Sequence, residues 1–267
     1  MKDIKMVVTD MDGTLLNSNH EVSSRFFTVF KELLEQNILF VAASGRPYYS
    51  IVDKLKQIKD DIIVVAENGG LVIKNENVIL SNIINPNRLA QLYTIVSNIK
   101  DTYPIFCTKH KAYMLRASDD LIKTFSEYYC SYTIIDSFDE IKDDVIKIAL
   151  YHEINSEKYI FPFLKDLQPE LSVVVSGNHW VDISESISNK GHAITMLQKL
   201  LNIKPSETMA FGDYNNDLEL LKCAKYSYAM SNAHENIKAI ANFETKSNDQ
   251  FGVELILEHL VTESRKH

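Results

Sequence analysis

Apolar positions along the chain follow two rhythms. Met6-Val7-Val8-Thr9 is a short, β-branched run that stops at Asp10, with Gly13 as turn punctuation, and it predicts a buried strand. From Val22 to Gln36, Phe26, Phe27, Phe30, Leu33 and Leu34 recur at helical spacing, and Ser23 or Ser24 can cap the start. Ile38 to Ala43 is a second continuous apolar strand, closed by Ser44-Gly45-Arg46-Pro47. Pro47 suits the first turn of a helix running to about Lys59, and Ile62 to Ala66 is a third strand. Strands apolar on both faces that alternate with helices predict a parallel sheet with right-handed crossovers.

The rhythm then changes. Leu71-Val72-Ile73, Asn75-Glu76-Asn77 and Val78-Ile79-Leu80 predict a hairpin, which a further strand–helix–strand unit would not contain. Between Ile83 and Ser186 the strands become shorter, more alternating and richer in tyrosine. Strands are expected at 113–116, 132–135, 146–150 and 171–175, with helices near 87–100, 119–129 and 156–167. After Lys190 the first rhythm returns: a helix to about Leu201, a strand Thr208 to Phe211, a turn from Gly212, a helix from Asp217, a strand near Ser227 to Met230 and two more helices. The expectation is an α/β protein with a Rossmann-like parallel core, 1–82 and 187–267, interrupted by an α+β cap, 83–186, built on an antiparallel sheet.

Composition narrows the class. With 267 residues, 45% hydrophobic and 24% charged, the chain has the balance of a globular protein and length for a core plus a second module. Acidic residues exceed basic ones, 36 against 28, so the formal net charge is −8, and no basic stripe predicts nucleic-acid binding. Cys107, Cys130 and Cys223 are far apart and form no CxxC, which argues against a disulfide framework or a zinc site. Apolar runs are strand-sized and Met1-Lys2-Asp3-Ile4 opens no signal-peptide core, so the expectation is a cytoplasmic protein without a membrane partner, monomeric or weakly dimeric.

Candidate chemistry lies where the apolar strands end. Asp10-Met11-Asp12-Gly13-Thr14 follows the first strand, and parallel sheets bind ligands at the carboxyl ends of their strands. An Asp-rich turn that only caps the next helix is the alternative. A calcium loop counted from Asp10 has Glu21 at position twelve but Leu15 at the position requiring glycine, and is rejected. Gly212-Asp213-Tyr214-Asn215-Asn216-Asp217 follows a second such strand; alone it is a polar turn with a helix cap. If both strands are central, Asp10, Asp12, Asp213 and Asp217 converge. Two carboxylates at about 4 Å repel by roughly 4 kcal/mol at an effective dielectric near 20, so four require a cation or large pKa shifts. All-oxygen ligands favour Mg²⁺. Ser44 and the Gly45 amide form a small anion site before a helix. Lys190, after Asn189, is either a solvated surface charge or a point donor to a phosphate oxygen.

In this order the residues resemble the haloacid dehalogenase-like phosphatase superfamily. Asp10-Met11-Asp12-Gly13-Thr14-Leu15-Leu16 resembles its DxDGTL signature, Ser44 its second motif, Lys190 its third and Gly212–Asp217 its GDxxND fourth. The insertion between the second and third motifs, preceded by Glu67-Asn68-Gly69-Gly70, is similar to the Cof-type subfamily with a type IIB cap. The resemblance implies a phosphatase acting on a small phosphorylated metabolite, with Asp10 as nucleophile and Asp12 as general acid and base. It further implies Mg²⁺ held by Asp10, the Asp12 carbonyl and Asp213, with Asp217 in support. Ser44, Gly45, Lys190, Asn216 and the Met11 and Asp12 amides would clamp the phosphoryl oxygens. Arg46, Tyr48, Asn68 and the stretch Ser176-Gly177-Asn178-His179-Trp180 are candidates to face the leaving group; for His179 and Trp180 an ordinary strand role stands beside this. A phosphomutase on the same scaffold, or a catalytically silent metabolite-binding protein, are the alternatives.

Overall fold

Residues 3–264 are described here from a computed structural model; Met1 and Lys2, part of the segment inspected for a leader, lie outside the described residues. The chain begins with strand β1 (Met6–Asp10), helix α1 (Ser24–Glu35), β2 (Leu39–Ala43), α2 (Tyr48–Lys54), β3 (Ile63–Ala66) and the hairpin β4 (Leu71–Lys74) and β5 (Asn77–Ser81). A second group follows: α3 (Pro86–Val96), β6 (Tyr103–Thr108), β7 (Ala112–Leu115), α4 (Asp119–Ser126), β8 (Tyr132–Ile135), β9 (Val145–Tyr151), α5 (Ser156–Tyr159), β10 (Leu171–Gly177) and β11 (Trp180–Glu185). The chain then returns to the first group with α6 (Lys190–Leu201), β12 (Thr208–Gly212), α7 (Leu218–Lys222), β13 (Tyr226–Ala229), α8 (Glu235–Ile240), β14 (Phe243–Glu244) and α9 (Gly252–Ser264).

The first sheet has the order β14-β13-β12-β1-β2-β3-β4-β5, parallel from β14 to β3, with the β4–β5 hairpin antiparallel at one edge. β1 is buried along its length, with β12 on one side and β2 on the other. Chain order therefore reverses at β1, and the loops leaving β1, β2 and β12 open one crevice between them. The side chains beneath them are apolar: Val7, Val8, Phe40, Val41, Met209 and Phe211 are buried in one continuous core, with Phe26 and Phe30 of α1 packed on Phe40. Ser23 caps α1 by accepting the Phe26 amide at 3.0 Å.

The second sheet has the order β10-β11-β9-β6-β7-β8 and its own apolar clusters. It departs from the expected antiparallel sheet at one pairing, β7 with β8, which is parallel because α4 crosses over between those strands. β6 is missing from the expected set; it holds Pro104 and ends Cys107-Thr108, breaking the apolar run, yet it lies between β7 and β9. The helix expected over 156–167 is cut to α5 and two short 3-10 turns, since Pro162 offers no amide and clashes with the preceding turn. α2 ends at Lys54, short of Lys59, where tight turns such as Ile58 N–H to Leu55 C=O take over. Among the described residues no helix is long and apolar enough to cross a membrane.

Candidate active site

The end of β1 delivers Asp10 into the crevice, the end of β12 delivers Asp213, and the turn after it delivers Asp217. Carboxylate oxygens of these three lie within 4.8 Å of one another. Lys190, the first residue of α6, reaches them from the other side: its Nζ donates to Asp10 Oδ1 at 2.5 Å and to Asp217 Oδ1 at 2.7 Å. The lysine is fully buried, so of the two readings open for it the solvated surface charge is overturned. α6 begins at this residue because Asn189 caps it, accepting the His192 amide at 2.8 Å.

Asp217 shapes the site without facing it. Its second oxygen accepts the amides of Asp213, 3.0 Å, and Tyr214, 3.3 Å, so both oxygens are engaged within the protein. Asp213 in turn receives the Thr14 hydroxyl on Oδ1 at 2.9 Å. Gly13 makes room for this pair: its φ is +77°, and a Cβ there would collide with the Asp213 carboxylate. Burial, and after it the charge of Asp217, pushes the Asp213 carboxyl up to about 6. Burial also raises Asp10 well above the ordinary carboxyl range; Lys190 pulls it back, while Asp217 and Asp213 add to the rise. One buried lysine among three clustered carboxylates leaves negative charge in excess. Oxygen donors with no His or Cys among them suit a hard divalent cation such as Mg²⁺.

The Asp12 side chain stands outside that cluster. Both of its oxygens are taken by Arg46, whose Nε and Nη2 donate at 2.6 Å each, with His20 Nδ1 3.3 Å away. The side chain of Asp12, expected among the metal ligands, is thus engaged by Arg46 and is not part of the carboxylate cluster. Burial would raise its carboxyl; the Arg46 bonds and charge more than offset this and hold it low. The Met11 side chain is buried in the core, which leaves only its backbone for the crevice.

Opposite these groups, Ser44 and Gly45 leave the end of β2, and the Arg46 amide donates to Ser44 Oγ at 3.1 Å. Asn216 donates to Asn68 Oδ1 at 3.1 Å, and Asn68 donates to Asp182 Oδ2 of β11 at 3.3 Å. A cleft of about 510 Å³ lies between the two sheets, lined by Asp10, Asp12, Asp213, Ser44 and Asn216 on one side and by Tyr128, Lys147, His179 and Trp180 on the other. Arg46, Asn68, Ser176, Gly177 and Asn178 also border it. Tyr48 is a correction: it lines a separate groove with Asp53, Lys56 and Glu76. Pro47 borders the cleft and sits just before α2, so the next residue is turned about 100° around the helix axis and away.

Several residues of this site escape sequence reasoning. Lys147 and Asp182 sit in apolar strands, Ile146-Lys147-Ile148 and Val181-Asp182-Ile183, and both are buried. The available signal is a single charge inside an apolar run, which is costly unless paired. Glu67 belongs with them: it is fully buried and its carboxylate pairs with Lys147 at 2.7 Å.

The sequence profile of the haloacid dehalogenase-like hydrolase family matches residues 7–257, and the chain belongs to that family. It is 32% identical over 253 residues to the 5-amino-6-(5-phospho-D-ribitylamino)uracil phosphatase YbjI of Escherichia coli (strain K12), covering 94% of this chain and 93% of that protein. It is 27% identical to phosphatase YwpJ of Bacillus subtilis (strain 168), covering 97% and 100%. Among solved structures, SMU.1108c from Streptococcus mutans UA159 matches with a TM-score of 0.89 at 31% identity, over 97% of this chain and 99% of that one. The HAD subclass IIB sugar phosphatase BT4131 shares the fold, with a TM-score of 0.83 at 24% identity over 96% and 98%.

Proposed function

We propose that the chain is a Mg²⁺-dependent phosphatase that hydrolyses small phosphorylated metabolites through an aspartyl-phosphate on Asp10. The observation that carries this reading is the convergence of Asp10, Asp213 and Asp217 with Lys190 at the switch point of the sheet. Asp10 attacks phosphorus through a carboxylate oxygen, the bond to the leaving oxygen breaks, and Asp12 gives that oxygen its proton. Asp12 then removes a proton from water, whose oxygen attacks phosphorus; phosphate leaves and the Asp10 carboxylate is restored. Lys190, the Ser44 hydroxyl, the Gly45 amide and Asn216 hold the phosphoryl oxygens as charge builds on them. Mg²⁺ would be held by Asp10, Asp213 and the Asp12 carbonyl, with Asp217 orienting Asp213. When bound, it neutralises negative charge between the carboxylates and the phosphoryl group.

Residues 1–82 and 187–267 form the catalytic core in this reading, and 83–186 form a cap that covers the leaving group. The leaving group occupies the cleft beside Arg46, Asn68 and His179. Of the proteins named above, YbjI is named as a 5-amino-6-(5-phospho-D-ribitylamino)uracil phosphatase and BT4131 as a sugar phosphatase, and the polar, aromatic cleft suits substrates of that kind. p-Nitrophenyl phosphate hydrolysis is measured with and without Mg²⁺ in the wild type and in Asp10→Asn, then with a panel of phosphorylated metabolites. Mg²⁺-dependent turnover that Asp10→Asn abolishes is the expected result. Full turnover by pure, folded Asp10→Asn would remove Asp10 from its role.

A further inference from the structure

Lys147 belongs to β9 of the second sheet, yet its ammonium reaches the turns that follow β2 and β3 of the first. Its Nζ donates to the Gly45 carbonyl at 2.8 Å and pairs with Glu67 at 2.7 Å and Asp182 at 3.5 Å. Lys147, Glu67 and Asp182 are all buried, so the contact is not an incidental surface pair. Burial alone would lower the lysine; Asp182 and Glu67 override it and keep the ammonium charged.

The loop it touches is the one that would receive phosphate. Three successive carbonyls of that loop have donors: Ser44 C=O takes the Asn68 amide at 3.0 Å, Gly45 C=O takes Lys147, and Arg46 C=O takes the Glu67 amide at 3.1 Å. Two of these donors are backbone amides of the first sheet's own turn, and only the middle carbonyl relies on a side chain from the second sheet. That carbonyl shares a rigid peptide plane with the Arg46 N–H. The same N–H donates to Ser44 Oγ at 3.1 Å. One peptide unit therefore joins Lys147 to the Ser44 hydroxyl. Gly45 has no Cβ to resist rotation of that unit, so an outside donor is needed to fix it. Lys147 also steadies Glu67, which is held at a φ of +52° and whose amide binds the next carbonyl.

We propose that Lys147 is a positioning residue. By holding the Gly45–Arg46 peptide it aims the Ser44 hydroxyl at the phosphoryl group, so the phosphate site is complete only with the second sheet docked. This rests on the phosphatase reading, in which the Ser44 loop binds phosphate.

The test is a double-mutant cycle read by competitive inhibition of p-nitrophenyl phosphate hydrolysis by inorganic phosphate, using the full chain with Mg²⁺. Lys147→Met is expected to raise the phosphate inhibition constant about tenfold, the scale of one positioned hydrogen bond to a charged group. In the Ser44→Ala background the same change is expected to add less than about twofold, because the group it aims is gone. A purely structural role would give equal factors in both backgrounds, and that result overturns the proposal, as does an unchanged inhibition constant in folded Lys147→Met. Should Lys147→Met fail to fold, Glu67→Gln and Asp182→Asn combined with Lys147→Met remove all three buried charges together, and that variant is held to the same two outcomes. A wild type that hydrolyses neither p-nitrophenyl phosphate nor any of the phosphorylated metabolites overturns the phosphatase reading and this inference together; an active wild type with additive variants overturns this inference alone.

Discussion

Arg46 grips Asp12 through two parallel bonds of 2.6 Å, one to each carboxylate oxygen. Such a fork favours the ionised carboxylate, whereas a general acid needs the protonated one. For Asp12 to act as the acid, the pair therefore has to loosen when a phosphate ester enters. Asp12→Asn is expected to slow phosphorylation by alkyl phosphates far more than by p-nitrophenyl phosphate, whose leaving group needs no proton. Rapid-quench kinetics with both substrates checks this; an equal loss for the two would take the acid role from Asp12.

Arg46→Met removes the partner that lowers the Asp12 carboxyl, so its pKa rises. The acid form then persists to higher pH, and the alkaline limb of kcat for an alkyl phosphate is expected to move upward. A pH–rate profile of the variant against the wild type reads this directly; an unmoved limb would contradict it.

Lys190 is fully buried between Asp10 and Asp217. Lys190→Met keeps much of its length but strands two buried carboxylates, a change that costs about 3–5 kcal/mol in comparable buried pairs. Urea unfolding without added metal is expected to show a loss of that order, and turnover is expected to vanish. A stability within about 1 kcal/mol of the wild type would show that the carboxylates relax to solvent.

In the proposed reading Mg²⁺ and protons compete for Asp213. Its carboxyl is raised from the ordinary 3.8 to about 6, so without a cation it contributes stability at low pH that is lost as pH rises through about 6. A bound cation needs the ionised form. At fixed Mg²⁺ concentration the rise in Tm is expected to be full near pH 8 and to shrink toward pH 5, as thermal unfolding with and without Mg²⁺ will show. An increment that is constant across that range would place the cation elsewhere.

Much of the site is legible because its residues sit where a pattern stops. Asp10 and Asp213 each follow an apolar strand directly, and Ser44 follows another, so strand ends alone mark the crevice. The shorter, tyrosine-rich strands that follow Ile83 likewise expose the second sheet. Contacts made across the fold are not legible in this way. Lys147 meets the Gly45 carbonyl 102 positions away, and nothing local in Ile146-Lys147-Ile148 says where the ammonium ends. β6 escapes for a related reason: its burial comes from β7 and β9, while its own sequence carries Pro104 and a polar end. Tyr48 shows the limit at a helix start, where one residue's advance moves a side chain out of the cleft.

Everything in the proposed reaction depends on transfer of the phosphoryl group to Asp10. The most direct measurement is to quench the enzyme during turnover of a phosphate ester, reduce it with borohydride, which converts an aspartyl-phosphate to homoserine, and map the peptides by mass spectrometry. Homoserine at position 10, absent from enzyme quenched without substrate, is the predicted result. Turnover with an unmodified Asp10, or with homoserine at another aspartate, would overturn this assignment.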